Sequence, residues 1–249
     1  MTRSRLIAGL ILALALLVYL LASAPARLLL SVVPGEGLIL QGVRGTLWNG
    51  QASRVLLATG NGWLHLGATQ WQLRPLSLLL LSPELAIESQ WGRQTVEGDL
   101  KLYSEEEFAL RGVQVSVDAA LLRQYLPVGL EGDFSLQFEK LLVRNEALEE
   151  AVGRVVWQNG GWVSPQGPRQ LGSYAVDLST PEPGMIQGQV ISLAGDLEAQ
   201  GEVGLQGPQY SIDVVLSGQG LEDAQLRQAL QLVAAPEGDD FRVKLEGSL

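Results

Sequence analysis

His65 is the only histidine in the 249-residue chain, and there is no cysteine. A Ser-His-Asp relay would have to run through His65, yet Trp63-Leu64-His65-Leu66 reads as a single strand with no nucleophile elbow beside it. One histidine without cysteine also makes a poor zinc site, and without thiols there is no disulfide and no thiolate nucleophile. The remaining chemistry would fall to the twenty-seven Asp and Glu residues. Their adjacent runs, Glu105-Glu106-Glu107, Glu149-Glu150 and Asp239-Asp240, read as solvated loops, and none has the spacing of a calcium-binding loop. No two of these acids stand out as a glycosidase pair, which meets only in space. Asn159-Gly160-Gly161 lacks the Lys and the following helix that a phosphate loop needs. The sequence therefore predicts no catalytic residue, no metal ligand and no cofactor, and the chain reads as a non-enzyme. Six tryptophans (Trp48, Trp63, Trp71, Trp91, Trp157 and Trp162) read as large core fillers whose N–H groups suit polar edges.

The elements around these residues begin with an apolar run. Leu6–Ala24 holds nineteen uncharged residues behind Arg3 and Arg5. As a helix it spans roughly 28 Å, close to the hydrocarbon thickness of a bilayer. Leu6, Leu10, Leu14, Leu17 and Leu21 are among eight Leu, two Ile and one Val between Leu6 and Leu21. Together these eleven favour insertion by about 3–6 kcal/mol on a translocon scale. Ala22-Ser23-Ala24 resembles a signal-peptidase site, but Pro25 follows it, and a proline just after the cut fixes the backbone and removes an N–H. The run reads as an uncleaved signal anchor. Arg3 and Arg5 keep the amino terminus cytoplasmic and send the rest across the membrane. The division predicted is thus residues 1–27, a short cytoplasmic tip and transmembrane anchor, and residues 28–249, a periplasmic β-rich domain. Beyond residue 27 there are fourteen basic and twenty-seven acidic residues, a balance that repels phosphate backbones and argues against nucleic-acid binding.

The exported part alternates with a period of two. Val113, Val115 and Val117 share one face, as do Phe134, Leu136 and Phe138, then Tyr210, Ile212, Val214 and Leu216, and finally Phe241, Val243 and Leu245. Alternation of this kind places one apolar face inward and one polar face outward, as in antiparallel sheet, and a dozen or more strands are expected. Glu97-Gly98-Asp99, Glu131-Gly132-Asp133 and Gly195-Asp196 suit turns. Two short helices are predicted: Ala119–Leu126, capped by Asp118 and ended by Pro127, and about Leu221–Val233. Glu146–Val152 has room for a further turn or two before Gly153. Leu76–Leu81, apolar on every side but too short to span a membrane, is expected to be a buried strand rather than a lipid-facing one. The fold class is mainly β: a single transmembrane helix, then an elongated many-stranded antiparallel sheet, groove or partly open barrel, with two short helices.

Two segments carry a family resemblance. Gln41-Gly42-Val43-Arg44-Gly45-Thr46-Leu47-Trp48-Asn49-Gly50-Gln51-Ala52 resembles the Gly-x-Gly-Thr-x-Trp-x-Gly-x-Ala segment of the type II secretion system protein N (GspN) family. Trp71-Gln72-Leu73-Arg74-Pro75 and the leucines after it resemble the Trp-x-Leu-x-Pro segment that follows there. The resemblance covers essentially the whole chain and marks Gly42, Gly45, Thr46, Trp48, Gly50, Trp71, Leu73 and Pro75 as structural motif residues. It implies a bitopic inner-membrane component of the apparatus that exports folded proteins from the periplasm, assisting assembly or stability of the platform through contacts with other platform subunits. It implies no catalytic residue. The family is also distantly similar to AsmA-type proteins, which implies an alternative: a lipid-handling module with lipid held in an apolar β-groove.

Overall fold

The computed structural model describes residues 2–28, 37–59, 62–104, 106–124, 129–164 and 167–248. Its strands are antiparallel, fifteen of them among the described residues, and the chain divides into two compact units, Met1–Trp91 and Gly92–Leu249.

The first unit opens with helix α1 (Thr2–Ala22, 21 residues) and a 3-10 turn at Ala26–Leu28. Side chains of α1 are described at Ile7 and from Gly9 onward. Among the described residues no helix is long and apolar enough to cross a membrane. The leucines, isoleucines, valine and tyrosine from Ile7 to Leu21 that lie in view are 57–72% exposed, on every side of the helix. Strands β1 (Leu38–Gln41), β2 (Arg44–Gly45), β3 (Asn49–Thr59), β4 (Gly62–Leu73) and β5 (Glu84–Trp91) follow. β1 and β2 both pair with β3, which pairs with β4, and β4 pairs with β5. Their core is small: Ala26, Val43, Ala52, Val55 and Trp71, with Leu38, Leu40, Leu66 and Leu85 against it.

The leucine run departs from the buried strand expected of it. Pro75–Leu79 forms a five-residue helix, α2, with Pro75 in its first turn, where the missing N–H costs nothing. Leu76, Leu79, Leu80 and Leu81 are 75–85% exposed. Ser77 decides the outcome: its hydroxyl donates to the Arg74 carbonyl at 2.6 Å and accepts from the Glu84 N–H at 2.8 Å, closing a tight loop that turns the leucines outward.

The second unit contains β6 (Gln94–Leu102), β7 (Glu107–Asp118), β8 (Leu130–Arg144), β9 (Ala147–Ser164), β10 (Gly167–Glu182), β11 (Met185–Ala194), β12 (Glu198–Gln206), β13 (Gln209–Ser217), β14 (Ala235–Glu237) and β15 (Asp240–Ser248). Each strand from β6 to β13 pairs with the next in sequence. β15 then pairs with β13, and β14 folds back on β15. The register turns period-two sequence into whole rows. One row reads Val96, Val115, Leu136, Val155, Val176, Val190, Gly201, Val214 and Val243, all on one face. The adjacent row, on the other face, reads Glu97, Gln114, Gln137, Arg154, Asp177, Gln189, Glu202, Asp213 and Lys244. Fork-like ion pairs tie the polar face, Arg154 to Asp177 at 2.5 and 2.7 Å and Arg242 to Asp213 at 2.7 Å. On the apolar face Phe134, Trp157 and Tyr174 form a ladder of rings 5.6 and 5.8 Å apart.

Helix α3 (Ala224–Leu230) and the 3-10 turn Gln219–Glu222 pack Leu226 and Leu221 on Leu197 and Phe241, the latter 1% exposed. Asp223 caps α3 through the N–H groups of Gln225 and Leu226, so the helix begins after Leu221. At Ala119–Gln124 the backbone is a 3-10 helix whose start is capped by Asp118, which accepts from Ala120 N–H at 2.8 Å. Tyr125, Leu126 and Pro127 lie outside the described residues. Three local readings are corrected. Glu146–Val152 belongs to a hairpin and to β9, because Asn145 and Glu146 take up the turn with φ of 50° and 64°. Gly98 and Gly132 sit at bulges inside β6 and β8 rather than at hairpin turns. At Gly132, φ is +104° and an added Cβ would fall 2.7 Å from the Asn159 carbonyl oxygen, so only glycine fits.

Candidate functional site

The motif residues converge on the carboxyl end of α1. A helix leaves its last carbonyls without intrahelical donors. Here the indole N–H of Trp48 donates to the Leu21 carbonyl at 2.8 Å. Ser23 turns its hydroxyl back to the Tyr19 carbonyl at 2.7 Å. The next residues then join the sheet: Leu47 N–H donates to the Ala24 carbonyl at 2.8 Å, and Pro25 forms a β-bridge with Thr46. Ala24 and Ala26 are 8% and 1% exposed, and Ala26 enters the core beside Trp71. The helix is thereby keyed into the first hairpin by a collar of backbone and indole bonds.

Each motif position has a place in this collar. Gly42 lies just before β2 and Gly45 ends it, with φ of 66° and 89°. Thr46 accepts from the Asn49 N–H at 3.1 Å through its hydroxyl and closes the turn that presents Trp48. Trp48 is half-buried, and its carbonyl accepts from Leu73 N–H at 2.8 Å, so one residue ties β4 to the helix end. Trp71 is 8% exposed and donates to the Leu47 carbonyl at 3.3 Å. Gly50 lies directly under that ring, where a side chain would meet Cζ2 and Cε2 of the indole. Half-buried Leu73 ends β4, and exposed Pro75 starts α2. Of the anchor positions, Leu10, Leu14, Leu17 and Leu21 are 58–71% exposed on α1, and the Leu6 side chain lies outside the described residues. Nothing in the sequence signals that Ala24 and Pro25 join Leu47 and Thr46 or that Ala26 enters the core. Their small side chains were legible only as a cleavage-like motif, although the same smallness is what close packing requires.

Charge divides between the units. Residues 1–91 contain six Arg and three Glu, whereas residues 92–249 contain eleven basic and twenty-four acidic groups. Around the collar Arg27, Arg44 and Arg74 are exposed, and Arg74 pairs with Glu84 at 2.9 Å. His65 is exposed on β4 with its ring stacked on Trp91 at 5.5 Å. Among the described residues no group of three His, Cys, Asp or Glu is placed to hold a metal. In the second unit burial pushes the Tyr174 phenol up to about 12, while its hydroxyl donates to the Leu197 carbonyl at 2.9 Å.

These features define a β-rich protein keyed to an exposed apolar amino-terminal helix. The family model for Type II secretion system (T2SS), protein N, matches residues 36–244, and the chain belongs to that family. It is therefore a type II secretion component of the bacterial cell envelope; the family belongs to the secretion machinery and is not a known enzyme family. The chain is similar to the type II secretion system protein N of Aeromonas hydrophila, at 26% identity over the whole of both chains. It is also similar to that of Vibrio cholerae serotype O1, at 29% over 70% of each chain, and to that of Klebsiella pneumoniae, at 29% over 74% of this chain and 71% of the relative. No solved structure matches it.

Proposed function

We propose that this protein is a single-pass component of the bacterial inner membrane, amino terminus in the cytoplasm, whose residues 28–249 face the periplasm and assist assembly or stability of the secretion platform through contacts with other platform subunits. The observation that carries this reading is the collar. Helix α1 has 21 residues and a length of about 31 Å. Arg3 and Arg5 lie in its first turn, ahead of the apolar run, its described apolar side chains stay exposed, and Trp48 and Leu47 hold its end against the first sheet. A joint of this kind lets the helix set where the first unit stands above the membrane, which a subunit that organises neighbours requires.

The test is a strain lacking the protein, complemented by the wild type, by Trp48→Ala or by His65→Gln. Without the protein, export of folded substrates or the abundance of platform subunits should fall. Wild type and His65→Gln should restore both, and Trp48→Ala should do so poorly. Unchanged export and subunit levels in the deletion strain would refute the reading.

A second reading has its own observation. The apolar row on the second unit is half-buried over most of its length, and α3 covers only its Leu197–Phe241 end among the described residues. Such a face suits acyl chains. Lipid co-purifying with the protein, together with altered envelope lipid and intact secretion in the deletion strain, would favour lipid handling over platform assembly.

A further inference from the structure

We propose that the leucine loop at residues 76–81 is a second membrane contact, inserting shallowly into the leaflet from which α1 emerges. This rests on the reading of α1 as the membrane anchor. Leu76, Leu79, Leu80 and Leu81 are the most exposed cluster of large apolar side chains outside α1 among the described residues, at 75–85%. The loop presents them rigidly: Ser77 bonds to both its ends, and Arg74 pairs with Glu84 across its base. Its position is what selects lipid as the occupant. Leu73, just before the loop, donates to Trp48, and Trp48 donates to Leu21 at the end of α1, each bond 2.8 Å long. The loop therefore opens at the same end of the sheet as the helix.

The helix points away from the sheet, since its described apolar side chains are exposed on every side. Where α1 enters the hydrocarbon, the leucine loop meets the interface. Arg27 and Arg44 are exposed at this end, in the unit where Arg outnumbers Glu six to three, and guanidinium groups at that level pair with headgroup phosphates. Leucine below and arginine at the headgroups is the amphipathic arrangement of an interfacial anchor. Two attachment points fix the tilt of the first unit over the membrane, which one helix alone leaves free.

The absence of cysteine makes the test direct. Full-length protein carrying a single cysteine at Leu80, Leu14 or Arg54 is labelled with an environment-sensitive fluorophore and reconstituted in phosphatidylethanolamine–phosphatidylglycerol vesicles. Arg54, exposed in the middle of β3, is the aqueous reference. Labels at Leu80 and Leu14 should be quenched by lipid-borne nitroxides and shielded from iodide at least several-fold relative to Arg54. Leu79→Cys should repeat the Leu80 result. A Leu80 label open to iodide while Leu14 is lipid-quenched overturns the loop contact and leaves the anchor intact. Both labels open to iodide would sink the anchor as well. A Leu80 label shielded from both quenchers indicates a loop covered by a second copy, which also overturns the proposal.

Discussion

Replacing Gly50 by Ala tests whether the collar is built as described. The added methyl would meet the Trp71 ring and lie 2.9 Å from the Thr46 carbonyl oxygen. Overpacking of this kind costs about 1–3 kcal/mol, because the ring cannot retreat without disturbing Ala26, Val43, Ala52 and Val55. The indole is also tied at its N–H to Leu47, so a shift stretches that bond as well. In a Trp71→Leu background the indole atoms, the nearest neighbours of the added methyl, are gone, and only the approach to the Thr46 carbonyl remains. There Gly50→Ala should cost only a fraction of its wild-type value, leaving a coupling energy of about 1–2 kcal/mol, within the range that contacting residues show. Urea unfolding of the full-length protein in detergent, followed by tryptophan fluorescence and by circular dichroism, gives the four free energies of the cycle. Equal costs of Gly50→Ala in the two backgrounds would refute the packing argument. A wild-type-like Gly50→Ala protein would do so too.

Tyr174→Phe removes a hydrogen bond to the Leu197 carbonyl and should cost about 1 kcal/mol at neutral pH. Because burial raises that phenol to about 12, the wild type should also lose stability from about pH 10 upward, as the unfolded chain ionises first, and Tyr174→Phe should lose that alkaline limb in pH-dependent melts. Hydrogen bonds from Arg154 and Arg242 hold Asp177 and Asp213 below the usual carboxylate range. Their contribution is therefore complete above the ordinary Asp value of about 4 and is lost as pH falls through the lowered values, so Asp177→Asn should flatten the acid limb of the same melts. The purified protein should retain residues upstream of Pro25, and Pro25→Ala should allow partial cleavage after Ala24, read by amino-terminal sequencing; a wild-type terminus at Pro25 would contradict an uncleaved anchor.

The parts of the fold that were legible in the sequence are those where side chains alternate against a single face. Val113–Val117, Phe134–Phe138, Tyr210–Leu216 and Phe241–Leu245 were all readable as strands, and each lies in the apolar rows of the second unit. Leu76–Leu81 was misread because an unbroken leucine run has no period; the information lay in Ser77 and the flanking prolines. Glu-Gly-Asp reads as a turn because glycine serves a bulge and a turn equally well. Asn145-Glu146 gave no signal, since the turn places Glu, without glycine, at positive φ. The motif glycines stand out only through family resemblance, and the motif tryptophans otherwise read only as core fillers. Their partners, Leu21, Ala24 and Pro25, take part through backbone groups, which carry no side-chain signature.

The strand order of the second unit bears on how the chain reaches its folded state. From β6 to β13 every strand docks on the one made just before it. Loop closure between successive strands is short and its entropic cost low, so the sheet can zip up hairpin by hairpin without waiting for a distant segment. The danger in such growth is the last strand laid down, which offers bare N–H and C=O groups to any neighbouring chain. Three-residue β14 meets it at the start of β15, pairing Ala235–Glu237 with Arg242–Asp240 and carrying Pro236, which has no N–H to lend. A chain cut before residue 235 would lose that cover together with β15 and its buried Phe241, leaving β13 as a bare edge beside an opened core.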